Sequence, residues 1–215
     1  MVLFDLDGVL LDSTPVHRRL WERWAVRHRL DPEQVFAATF GRRPAEAIGA
    51  VAPWLVVPEE LLWLDELLRR ERDMFALMPG AAAAVAAARQ FAAWGVVTSS
   101  SAEHATYCLT RHGIPAPIVL VGGTDTAEGK PSPAPYLLAS VRAGVPSAAC
   151  VAVEDSPAGV ASARAAGAVA IAVASTYAAG ELAAADRCLA AMDDVAQLLL
   201  AIRGQSDVAG ETQTA

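Results

Sequence analysis

Apolar and polar positions alternate along this chain in two different rhythms. Residues 2–4 form a short apolar run that stops at Asp5, and Asp7-Gly8 reads as a turn. Over residues 14–29 the apolar positions Val16, Leu20, Trp21 and Trp24 recur at helical spacing, with Ser13 or Thr14 and Pro15 supplying a cap and a first turn. Residues 32–40, 44–50 and 58–77 also read as helices. Nothing between 14 and 77 reads as a strand, and Pro79-Gly80 closes the stretch. The rhythm then changes. Helices at 81–93, 102–112, 133–143 and 158–166 alternate with short apolar strands at 94–97, 118–121, 149–153 and 169–173. Asp193 or Asp194 caps a last helix to about Ile202, and the polar residues from Gly204 on predict a disordered tail.

Short apolar strands alternating with helices predict a parallel sheet covered on both faces. The expected fold class is therefore α/β. A Rossmann-like parallel-sheet core is built from residues 1–13 and 78–203, an all-helical cap is inserted at 14–77, and 204–215 form the tail.

Composition narrows the function. The chain has 215 residues, 54% of them hydrophobic, enough for one large domain or a domain with an insert. The net charge is −7, with acids and bases interspersed, so no basic stripe predicts a nucleic-acid partner. The longest uncharged run, 165–180, is too short and too polar to span a bilayer. The first residues carry no basic segment followed by an apolar one, so no signal peptide is expected. Cys108, Cys150 and Cys188 are far apart and lack any Cys-x-x-Cys. That spacing predicts free thiols in a reducing cytoplasm rather than disulfides or zinc. Of the 17 basic residues, Lys130 is the single lysine. In an arginine-rich background this asks what a compact ammonium does that a planar guanidinium cannot.

The polar residues that carry chemistry sit where apolar strands end. Asp5 and Asp7 follow the first strand, Thr98 and Ser99 the second, and Glu154 and Asp155 the fourth; Lys130 lies in the loop after the third. In a parallel α/β sheet the carboxyl ends of the strands share one edge, where ligands bind. Clustered carboxylates repel one another unless a cation lies among them, and hard oxygen donors without His or Cys point to Mg²⁺. A lysine and hydroxyls beside such a cation form a clamp for phosphoryl oxygens. An aspartate can attack phosphorus, and a second one two residues on can act as acid and base.

These residues carry a family resemblance. Phe4-Asp-Leu-Asp-Gly-Val resembles the first motif, DxDG[TV], of the haloacid dehalogenase superfamily. Val96-Val-Thr-Ser-Ser, Gly129-Lys-Pro-Ser-Pro-Ala-Pro-Tyr and Val153-Glu-Asp-Ser-Pro-Ala-Gly resemble its second, lysine and fourth motifs, in family order. The helical insert resembles the type-1 cap of phosphoglycolate phosphatases, β-phosphoglucomutases and small sugar phosphatases. The resemblance implies Asp5 as nucleophile and Asp7 as general acid/base, with Thr98, the Ser99 backbone and Lys130 as phosphate clamp. It implies Mg²⁺ on Asp5, the Asp7 carbonyl and Asp155, with Glu154 as ligand or just behind. The dehalogenating branch lacks the metal acids, so their presence points to phosphate chemistry.

In the insert, His17 falls where β-phosphoglucomutase-like proteins carry a histidine facing the site, although a packing stripe also explains it. Arg42 and Arg43, following Gly41, are candidates for gripping a sugar or a second anion. Glu71 reads as structural, and Asp125 as either an orienter of Lys130 or a turn stabiliser. The expected function is a Mg²⁺-dependent phosphatase that acts on a small phosphate ester, a sugar or polyol phosphate, through an aspartyl-phosphate. The alternative is a β-phosphoglucomutase-like phosphosugar mutase.

Overall fold

The structure, a computed structural model, describes residues 1–39, 42–90 and 93–211. Six strands form one sheet: β1 (Val2–Phe4), β4 (Trp94–Val97), β5 (Val119–Val121), β6 (Val151–Glu154), β7 (Val169–Val173) and β8 (Arg187–Leu189). Their order is β5-β4-β1-β6-β7-β8 and every pairing is parallel. From β1 the chain steps outward through β4 to β5, then crosses back to β6. The strand order therefore reverses at β1, and a crevice opens beyond the carboxyl ends of β1, β4 and β6.

The continuous apolar runs serve both faces of the sheet, because successive side chains of a strand point to opposite sides. Val2, Phe4, Val96 and Val153 join one core with helices α5 (Ala81–Arg89), α6 (Ala102–Arg111) and α9 (Met192–Glu211). Leu3, Val97, Val121 and Ala152 join the other with α7 (Ala134–Ala143) and α8 (Pro157–Ala165). Burying a side chain such as Phe4 contributes about 1.5–3 kcal/mol, so the strands on either side of the site rest on a firm base.

Between β2 (Leu11–Asp12) and β3 (Ala76–Leu77) the chain leaves the sheet for the helices α1 (Thr14–His28), α2 (Pro32–Ala37), α3 (Pro44–Val51) and α4 (Val57–Glu71). Their apolar faces meet in a core of their own, formed around Trp21, Trp24, Phe36, Ile48 and Leu64. The Trp24 indole donates to Glu60 Oε2 at 2.8 Å, and His28 Nε2 lies 2.8 Å from the same oxygen. β2 and β3 pair antiparallel, Leu11 opposite Leu77 and Asp12 opposite Ala76.

β3 corrects the expectation that no strand lies between 14 and 77. The long helix stops at Glu71, a 3₁₀ turn spans Arg72–Met74, and Ala76–Leu77 pair with β2. Two residues cannot show a period-2 pattern, and their partner lies outside the local sequence. β8 is a second addition: an exposed edge strand with an arginine, it has no apolar run to announce it. The last helix runs on to Glu211, where polar composition predicts a disordered tail from Gly204. No proline interrupts it, and each of its two glycines, Gly204 and Gly210, costs only about 1 kcal/mol. Residues 212–215 of that tail lie outside the described residues, as do Phe40, Phe91 and Ala92 at the predicted ends of two helices. Among the described residues, no helix is long and apolar enough to cross a membrane.

Candidate active site

Asp5 prolongs β1 by one residue, its amide donating to Val153 O at 2.9 Å. The chain then folds back tightly, with the Leu10 and Leu11 amides both donating to Leu6 O at 2.8 Å. Gly8 sits inside this turn at φ +78°, a left-handed backbone that side chains disfavour. A Cβ at Gly8 would collide with Asp155 Oδ2 and Thr176 Oγ1. The turn therefore brings the first and fourth polar clusters together only because residue 8 has no side chain.

The other strand ends each run into a capped helix. Ser101 Oγ accepts from the His104 amide at 3.2 Å at the start of α6, and Ser156 Oγ accepts from the Gly159 amide at 3.1 Å at the start of α8. Thr98–Ser100 and Glu154–Asp155 are thereby held between a buried strand and a fixed helix N-terminus. Lys130 projects from the turn ahead of α7 and is 5% exposed. Its Nζ lies 2.5 Å from Glu154 Oε1, 3.0 Å from Asp5 Oδ1 and 3.0 Å from Val97 O. Glu154 is fully buried, and its Oε1 also accepts from the Tyr136 hydroxyl at 2.6 Å.

Three carboxylates, Asp5, Glu154 and Asp155, offer oxygens that all lie within 4.8 Å of one another. One ammonium cannot balance them. Burial, reinforced by the neighbouring acids, raises the Asp5 carboxyl well above the usual carboxylate range despite Lys130. Burial and Glu154 push Asp155 up to about 7. Burial would lower Lys130, but Asp5 and Glu154 outweigh it and hold the ammonium above its ordinary value. Asp7 behaves oppositely. Burial would raise its carboxyl, yet His17, His104 and hydrogen bonds from Ser100 and Ser13 hold it below the usual value. Two carboxylates two residues apart are thus driven in opposite directions.

A cavity of about 640 Å³ separates this floor from the helical insert. Asp5, Asp7, Ser99, Ser100, Lys130 and Asp155 line it from below, and His17, Leu20, Trp21, Arg42 and Leu64 from above. The residues singled out in the sequence are brought together, with four qualifications. Thr98 lies 3% exposed beneath the wall, its Oγ accepting from the Ser100 amide at 3.0 Å, so Ser99 and Ser100 are the residues that face the cavity. Arg43 reaches the cavity rim, but its guanidinium is bound to core carbonyls. Asp125 pairs with Arg142 at 2.6 Å and accepts from the Gly122 amide, so it stabilises its turn and not Lys130. Glu71 is held by Arg19 and Arg23 at 3.4 and 2.6 Å, a structural role.

Sequence reasoning missed three members of the site. Ser100 Oγ donates to Asp7 Oδ2 at 2.7 Å. His104 is buried near Asp7, its ring against Phe75, which His17 meets from another side. Tyr136 orders Glu154. A signal existed for two of them: Ser100 extends the serine run after β4, and Tyr136 ends the lysine motif. His104 lies on the buried side of α6, where helical periodicity reads it as core.

Comparison with known proteins settles the family. The haloacid dehalogenase-like hydrolase model matches residues 1–167, more than half of the chain. The chain belongs to that family. This haloacid dehalogenase-like hydrolase is 38% identical over 178 residues to hexitol phosphatase A of Escherichia coli strain K12, a match covering 80% of this chain and 81% of that one. It is an enzyme, a phosphatase. Among solved structures, CbbY from Rhodobacter sphaeroides in complex with phosphate superposes with a TM-score of 0.80 at 28% identity, over 90% of this chain and 95% of that one. A putative β-phosphoglucomutase from Bacteroides vulgatus gives 0.75 at 28% identity, over 93% and 89%.

Proposed function

We propose that this phosphatase hydrolyses the phosphate ester of a small sugar or polyol through an aspartyl-phosphate on Asp5. The observation that carries the reading is the floor of the cavity. Asp5 and Lys130 lie 3.0 Å apart there, beside Asp155 and under a covering insert. In this reading an Asp5 carboxylate oxygen attacks phosphorus, and the P–O bond to the alcohol breaks as Asp7 gives the leaving oxygen its proton. Asp7 then takes a proton from water as that water attacks the phosphoryl group, which frees Asp5. Lys130 and the Ser99 amide hold the phosphoryl oxygens, with Thr98 supporting the loop from beneath. Ser100 donates to Asp7 Oδ2 and so fixes the orientation of the carboxylate. His17, 3.8 Å from Asp7 Oδ1, favours the charged form that takes the proton from water in the second step.

The residues fit Mg²⁺. Glu154 Oε2 is buried and accepts no hydrogen bond, and the donor set is all oxygen. Asp5, Asp155 and the Asp7 carbonyl would hold the ion, with Glu154 behind them tied to Lys130 and Tyr136. When bound, Mg²⁺ supplies positive charge to the transferring phosphoryl group. The cavity volume of about 640 Å³, together with similarity to a hexitol phosphatase, supports a sugar-sized or polyol-sized leaving group. Free thiols at Cys108, Cys150 and Cys188 support a reducing cytoplasmic setting.

The test is phosphate release from a panel of hexitol, glycerol and hexose phosphates with Mg²⁺, for the wild type and Asp5→Asn. Turnover confined to the wild type is expected. Release that survives in Asp5→Asn defeats the nucleophile assignment. A second reading, a phosphosugar mutase, is favoured by His17 beside Asp7 and by the likeness to the putative β-phosphoglucomutase. Incubation with a hexose 1-phosphate separates the two: free phosphate marks hydrolysis, and hexose 6-phosphate marks transfer.

A further inference from the structure

Arg43 belongs to the insert, at the N-terminus of α3, yet both terminal nitrogens of its guanidinium are bound to the core, while its Nε is buried without a hydrogen-bond partner. Its Nη1 donates to Ala127 O at 3.1 Å, and its Nη2 donates to Thr126 O at 3.1 Å and to Thr126 Oγ1 at 3.0 Å. Thr126 Oγ1 donates onward to Glu128 O at 2.7 Å. The fork therefore braces the turn that leads into Lys130, and it reaches across more than eighty residues of sequence to do so. Gly129 completes the arrangement. Its own backbone is not left-handed, so alanine is conformationally acceptable there. The three atoms nearest to a Cβ at that position are all Arg43's, with Cζ at 3.0 Å and Cδ at 3.2 Å. A side chain at residue 129 would therefore press on the Arg43 fork and displace it.

We propose that Arg43 is a positioning residue that docks the insert on the turn 126–129 and thereby sets Lys130, and that it is not a ligand for the substrate. The inference rests on the proposed phosphatase reading for its kinetic arm only. Three donors in one plane meet three acceptors, a match that a lysine cannot make. Because Lys130 acts on the phosphoryl group common to every substrate, loss of Arg43 is felt in turnover regardless of the leaving group. A residue that gripped the leaving group would matter only for substrates long enough to reach it.

The experiment is a double-mutant cycle of Arg43→Ala and Gly129→Ala. It is read by kcat and KM on a hexitol phosphate and on acetyl phosphate, which is too short to meet the roof. Amide hydrogen exchange over residues 124–131, measured without substrate, provides a second readout. Arg43→Ala is expected to lower kcat on both esters by about the same factor, tenfold or more for the loss of several charge-assisted bonds, and to speed exchange in the turn. Arg43→Lys does not rescue it. Gly129→Ala reproduces the defect in the wild type and adds nothing in the Arg43→Ala background, where its Cβ has room. The proposal is overturned if acetyl phosphate turnover is spared while hexitol phosphate turnover is lost. It is equally overturned if Gly129→Ala does the same damage in both backgrounds, or if exchange in the turn is unchanged. If the wild type turns over neither ester, the phosphatase reading fails, and the exchange cycle still decides the role of Arg43.

Discussion

Lys130 Nζ sits where Asp5, Glu154 and the Val97 carbonyl converge within 3.0 Å, in a pocket with almost no exposure. One nitrogen with three donors suits three acceptors arranged around a point, and a flat fork does not. Lys130→Arg is expected to lower kcat by about 100-fold or more, as removal of a preorganised donor does, while circular dichroism shows a folded chain. Wild-type turnover in that variant would return the single lysine to coincidence. The paired aspartates and Glu154-Asp155 were legible because each stands at a strand end in a distinctive motif, and the lysine because it is single and sits in a motif of its own. Arg43 was legible as important but not for its task, since an arginine beside a cavity reads as an anion ligand until the carbonyls that occupy it are known. His104 was illegible because a buried histidine on an amphipathic helix looks like any core residue.

Among the elements, the tight turn after β1 does most to assemble the floor. Gly8 holds a left-handed conformation there and leaves the space that Asp155 and Thr176 fill. Gly8→Ala is predicted to weaken the response to Mg²⁺ more than the affinity for the phosphate ester. It adds about 1–2 kcal/mol of backbone strain and drives Asp155 from its place. A Mg²⁺ titration of activity, with the melting temperature followed in parallel, checks it. An unchanged half-saturating Mg²⁺ concentration refutes it. The main helices and inner strands could be read from periodicity because tertiary packing reinforces their local pattern. β3 and β8 could not, since a two-residue strand and a polar edge strand owe their state to a neighbour far along the chain.

At the scale of the whole molecule, the acidic floor links stability to pH. Asp155 in the metal-free fold is raised to about 7, and Asp5 is raised as well. A carboxyl with a raised folded value holds its proton in the fold after the unfolded chain has lost it. Stability is then lost as pH climbs from the ordinary carboxylate range to about 7. Asp7 acts in the opposite sense below the ordinary carboxylate range, outside this window, and His104, which burial holds below its ordinary value, offsets part of the slope within it. The chelator-treated protein is therefore predicted to melt at a lower temperature as pH rises from 5 to 7.5. Millimolar Mg²⁺, which favours the ionised acids, should flatten or reverse the slope. Melting curves with and without chelator test this, and a slope that ignores Mg²⁺ counts against the acids as its site.

The pairing of Leu11 with Leu77 and of Asp12 with Ala76 has a consequence for how such an enzyme changes over time. The insert departs and returns through adjacent points, so the sheet receives it as a long hairpin loop. Exchange of everything between those points leaves the two rungs of the ladder, and the catalytic floor below them, closed. The Arg43 bridge is a tie of another kind, added to the packing of Leu20 and Leu67 on the core. A transplanted insert that lacked an arginine fork would sit on an intact floor without bracing its lysine, so insert and turn are expected to be inherited together.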